Sequence, residues 1–152
     1  MEYQCIFIMV EQNDLKKLLK YNTNELIEKL NELEKTEKTY STFLDYLLDL
    51  RLFFTSLIID SKIENIEHLA WFTGTHKIGF YKGEDEEINF FEKYESFINI
   101  IKLLENNDIY NELKSYNKNF ETAIMEEYND LLKFYKDAFK NKKTIIFYQK
   151  LF

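Results

Sequence analysis

Two short runs at opposite ends of the chain, Tyr3 to Val10 and Thr144 to Tyr148, constrain the fold more than anything between them. Both are rich in β-branched and aromatic residues, which is strand composition. The continuous apolar run of the second also predicts a strand covered on both faces. Two such strands separated by the whole chain are best accommodated side by side in one sheet. Such a pairing fixes both termini, and it makes contact order high and folding slow.

Ahead of the second run, residues 120–143 carry Ile124, Tyr128, Leu131, Tyr135 and Ala138 at steps of four, three, four and three. That spacing keeps them on one helical face, which Leu132, Phe134 and Phe139 widen. Glu121, Glu126, Glu127 and Asp130 come early and Lys133, Lys136, Lys140, Lys142 and Lys143 late, an order that complements the helix dipole. Asn141 is the expected stop, since Asn tolerates the left-handed conformation that closes helices. This helix is expected to cover the sheet.

The middle of the chain reads mainly as helices. Leu15, Leu18 and Leu19 mark a short one between Glu11 and Tyr21, with Asn13 or Asp14 as its cap. Leu26, Ile27, Leu30 and Leu33 mark a second, and Thr23 lacks the Glu three residues on that a capping box needs. Residues 34–42 are polar and read as a connection. Phe43, Leu47, Leu50, Phe54 and Leu57 then repeat at helical spacing with Leu44, Leu48, Leu52, Phe53 and Ile58 around them, so this helix is expected to be the most buried. Short helices are expected over 63–72, from Glu92 to Asn106, and around 109–116. Brief extended segments are expected at 77–82 and 88–91. Gly74 offers a turn closed to other residues. The expectation is an α+β fold: a single compact domain over residues 1–152, with several amphipathic helices packed on a small sheet that contains both terminal strands.

The 152 residues suffice for one full core, burying about 70% of the unfolded surface. A net charge of -7 disfavours nucleic acid as partner, which would demand a concentrated basic face. The single cysteine, Cys5, lies within an apolar strand and reads as a buried structural thiol. The opening residues lack a basic leader, and the apolar runs are too short to span a bilayer. Neither a signal peptide nor a membrane helix is expected, and the cytoplasm is the expected location.

No metal-ligand spacing, nucleophile elbow or phosphate-cradling glycine loop occurs, so no catalytic residue, metal or cofactor is assigned. Two constellations remain. Arg51, the one arginine, with Thr73, Thr75, His76 and Lys77 beside Gly74, would line a polar cleft for a small molecule if the central helix passes beneath them. The plainer reading is that these groups satisfy one another, with Arg51 reaching Asp45 or Asp49. The other constellation is the acidic run Glu84, Asp85, Glu86 and Glu87 with Phe90 and Tyr94 nearby, a surface suited to a basic protein partner. Its plainer reading is a solvated loop.

In order along the chain, the opening strand with Asp14-Leu15-Lys16-Lys17-Leu18-Leu19, the segment Leu50-Arg51-Leu52-Phe53-Phe54-Thr55-Ser56, and the turn Ala70-Trp71-Phe72-Thr73-Gly74-Thr75-His76 form a recognisable series. Leu131 to Ala138 followed by Thr144 to Tyr148 completes it. The chain resembles the YfbM-like family, a domain of unknown function (DUF1877). Leu47 and Arg51 stand where that family often has Trp and His, and Ser56 where it has Gly. The resemblance implies a compact α+β domain and no particular activity. Together these readings lead to an expectation of a small non-catalytic interaction module, with an immunity- or antitoxin-like protein as one form of it. The alternative is a small-molecule-binding protein or enzyme built on the Arg51 cleft. Oligomeric state is left open.

Overall fold

The computed structural model describes residues 2–63, 74, 76–83, 86–117 and 123–151. The terminal runs form β1 (Tyr3–Val10) and β5 (Thr144–Leu151), paired antiparallel from Tyr3 opposite Leu151 to Val10 opposite Thr144. Three further strands complete an antiparallel sheet, β2 (Thr39–Phe43), β3 (His76–Phe80) and β4 (Glu87–Phe90), in the order β2-β1-β5-β4-β3. The C-terminal strand is thus the middle one, and this explains its unbroken apolar run. Ile145 and Phe147 face one layer of helices, Ile146 and Tyr148 the other.

The helices are α1 (Gln12–Leu18), α2 (Thr23–Thr36), α3 (Leu44–Ile59), α4 (Ile98–Leu104), α5 (Asn107–Asn117) and α6 (Ala123–Lys140). On one face of the sheet, α1 and α2 bury Leu15, Leu18, Leu26, Leu30 and Leu33 against Ile6, Ile8 and Ile146. On the other, Cys5, Phe7 and Met9 meet α3 and α6, with α4 and α5 packed beside them. The period-2 alternation of β1 between two helix layers is what a doubly covered strand requires. Among the described residues no helix is long and apolar enough to cross a membrane.

Local chemistry differs from the sequence reading in several places. Residues 39–42, read as part of a connection, form β2 together with Phe43, because Thr-Tyr-Ser-Thr-Phe is β-branched and aromatic and the edge of β1 needs a partner. Phe43 ends that strand instead of opening the helical stripe. The α2 cap is Asn22: it accepts from the Glu25 N–H at 3.0 Å and returns its amide to the Glu25 carboxylate at 3.1 Å. At the end of α6, Lys142 is the left-handed residue, φ 54°, not Asn141. Lys142 N–H donates to Phe139 C=O and Lys143 N–H to Ala138 C=O, a Schellman closure. Gly74 does take positive φ, +94°. The helix expected over 63–72 falls, apart from Ile63, outside the described residues.

Candidate functional site

Arg51, on α3, is within electrostatic reach of Cys5 and Tyr135, and burial pulls its pKa below the ordinary value. Its Nε is buried without a hydrogen-bond partner among the described residues, and neither Asp45 nor Asp49 pairs with it there. Burial pushes the Cys5 thiol up to about 12, so it is an inert core thiol at physiological pH.

His76 lies elsewhere. It sits opposite Phe90 on the neighbouring strand and stacks on that ring at 5.3 Å. Phe90 belongs to the core beneath α1 and α2, whereas Cys5 belongs to the core beneath α3 and α6. Directly opposed residues share a sheet face. Arg51 and His76 therefore stand on opposite faces, with β5 and β4 also between β1 and β3, a span of roughly 14 Å. Lys77 is exposed and lies 3.9 Å from Glu87 and 4.9 Å from the Phe80 ring centre. The polar cleft is not assembled from Arg51, His76 and Lys77, and Thr73 and Thr75 lie outside the described residues.

The acidic and aromatic surface changes character as well. Glu86 is buried: its carboxylate accepts from Gly83 N–H at 2.6 Å and from Leu151 N–H at 2.9 Å, tying the β3–β4 turn to the last strand. Phe90 points into the core, and Tyr94 is half-buried edge-on against Phe139 at 5.4 Å. Glu87 alone of the described acidic residues there is exposed. Glu84 and Asp85 lie outside the described residues. Beside Glu86 an open cleft of about 540 Å³ is lined by Tyr3, Tyr81, Lys82 and Lys150. Its charges are already engaged, with Lys150 bonded to Glu34 at 2.8 Å and Lys82 over the Tyr81 ring. Among the described residues no group of three or more His, Cys, Asp or Glu side chains is placed to hold a metal ion.

The surface that stands out is the outer face of α3. This helix buries Leu47, Leu50, Phe53, Phe54 and Leu57, yet Leu48, Leu52 and Ile59 are exposed, Leu52 by 59% and Ile59 by 75%. Steps of four and seven put those three within about 40° of one another around the axis, on a single stripe. Asp45 and Asp49 flank it toward the N-terminus and Asp60 follows the last turn. The sequence did contain this signal, since a helix apolar on nearly all sides exposes part of what it carries unless it is wholly enclosed.

One buried polar site went unread. Glu127, 5% exposed, accepts from the Thr42 hydroxyl at 2.6 Å. Its place three residues after Ile124 and four before Leu131, on the apolar stripe itself, was the available sign. No family model, no curated protein and no solved structure matches the chain.

Proposed function

We propose that this protein is a non-catalytic interaction module that binds a basic protein through the outer face of α3. The exposed stripe of Leu48, Leu52 and Ile59 carries the reading. Exposed apolar side chains aligned on one helix face and flanked by charge mark protein contacts, and burial contributes about 25 cal/mol per Å² before the costs of association. Asp45, Asp49 and Asp60 around the stripe, on a molecule of net charge -7, favour a partner that presents lysines or arginines around an apolar ridge. An amphipathic helix with a basic flank has that shape.

Membership of the YfbM-like group (DUF1877), a cytoplasmic location and an immunity- or antitoxin-like role belong to the same proposal, the first supported by the order of the short motifs. The ligand-cleft alternative is not favoured, because Arg51 and His76 stand on opposite sheet faces.

The test uses wild type and a Leu52→Glu, Ile59→Glu double variant as baits, followed by calorimetry with the purified captured protein. A basic protein that binds wild type, weakens with added salt and loses at least about tenfold affinity to the double variant supports the reading. Equal binding to both baits overturns it.

A further inference from the structure

The sheet is open at β2. No described strand lies beyond it, and its register with β1 runs without a shift from Thr39 to Phe43. Met9 N–H donates to Lys38 C=O at 3.0 Å, which sets the orientation of the strand. In an antiparallel strand the backbone groups of successive residues address opposite sides. Tyr40 and Thr42 therefore address β1, while Thr39, Ser41 and Phe43, all exposed, turn their N–H and C=O groups outward.

Exposed edges are usually guarded by charge, proline or a bulge. β2 has no charged residue, no proline and no glycine. The other edge, β3, has all but the proline: Lys77 near Glu87, Gly79, and a register shift between Lys77 and Gly79.

α6 runs alongside β2 in the opposite direction, with Glu127 bonded to Thr42 and Asp137 to Lys38. Between them a groove of about 190 Å³ is lined by Thr39, Tyr40, Asp130, Lys133 and Phe134. Along this flank the charges run Glu126, Asp130, Lys133 and Asp137, the last paired with Lys38. We propose that the protein forms a two-fold dimer through its β2 edges, which joins the two sheets into one continuous sheet. The axis passes by Ser41, so Ser41 meets Ser41 and Thr39 meets Phe43. The stretch of α6 beside Ser41 lies between Glu127, bonded to Thr42, and Phe134, whose ring is 5.9 Å from Tyr40. The two-fold sets the α6 helices side by side and antiparallel. Asp130 of each copy then faces Lys133 of the other, while Glu126 comes opposite Asp137, whose charge Lys38 already neutralises; the Asp130–Lys133 complementarity selects a second copy as the occupant of the edge. These dimer contacts involve none of Leu48, Leu52 and Ile59, so the dimer stands apart from the partner proposed for α3.

Sedimentation velocity and light scattering from about 1 to about 200 µM test it, since a dimer's population depends on protomer concentration. The mass should rise from 18.6 kDa toward twice that value. Ser41→Pro removes an outward N–H that β1 does not use. Asp130→Lys sets like charges face to face. Each should raise the dissociation constant at least about tenfold, and adding Lys133→Asp to Asp130→Lys should restore the dimer. Circular dichroism and thermal midpoints check that each variant is folded, and if Ser41→Pro is not, the charge-swap series decides. A wild type that stays monomeric at about 200 µM overturns the proposal. So does a dimer indifferent to the charge swaps, or one abolished by Leu52→Asp on α3 alone.

Discussion

The Thr42 hydroxyl donates to the Glu127 carboxylate at 2.6 Å, across 85 positions of sequence, and so joins the edge strand β2 to the first half of α6. Burial raises the Glu127 pKa above the ordinary carboxylate value, while the Thr42 and Tyr40 hydroxyls pull it down without cancelling the shift. The second carboxylate oxygen, Oε1, is buried with no partner among the described residues.

A folded pKa above the unfolded one means that the folded state holds the proton more tightly. The associated stabilisation is full below the unfolded value of about 4.3 and is lost as pH rises through the folded pKa. Glu127→Gln, which is neutral throughout, should lack that decline. The measurement is the urea midpoint of both proteins from acid to neutral pH, and parallel profiles would show that Glu127 does not titrate in this way. Thr42→Val should cost about 1–3 kcal/mol, because it strands the carboxylate.

Glu34 behaves in the opposite sense. Burial acts to raise its pKa, but hydrogen bonds from Lys150 at 2.8 Å and Tyr148 at 2.5 Å together outweigh that and hold it below the ordinary value. Its contribution is present above the unfolded pKa and is lost as pH falls through the folded one. Glu34→Gln should therefore destabilise at neutral pH, by no more than about 1 kcal/mol given solvent screening, and the difference should close in acid. A gap that persists in acid would assign the effect to packing.

Gly74 and Gly79 make a matched pair. A Cβ on Gly74 would lie 2.6 Å from the Phe90 backbone, at φ +94°, whereas one on Gly79 meets nothing within 4 Å. Gly74→Ala should cost on the order of 2–4 kcal/mol, since a backbone neighbour cannot step aside. Gly79→Ala should be neutral or stabilise by up to about 1 kcal/mol. Thermal melts of the two variants check both, and equal midpoints would refute the contrast.

Lys142 holds a left-handed conformation, φ 54°, in the closure of α6. Lys142→Gly should relieve that strain and stabilise by about 0.5–1 kcal/mol, whereas Asn141→Gly should not. Chemical denaturation of the two single variants distinguishes them.

Both terminal strands, the α6 stripe and the apolar character of α3 were legible in the sequence, because each is a local periodicity that one face of one element must satisfy. β2 was hidden by its hydroxyls: Thr39, Ser41 and Thr42 read as polar until β1 supplies a ladder and Glu127 accepts the Thr42 proton. The expected sites fared worse for the same physical reason. Glu86 and Glu87 are adjacent in the chain, yet one carboxylate is buried against the Leu151 N–H and the other is exposed.

The sequence by itself determined which segments are strands at the two ends, which faces of the main helices turn inward, and that one α+β domain results. Only the tertiary structure decided that β5 lies between β1 and β4, that Arg51 and His76 are parted by the sheet, and that the outer face of α3 and the edge of β2 have no cover among the described residues. Periodicity along a chain records what each element needs to bury. Which neighbour buries it, and what remains exposed, depends on packing all the elements at once.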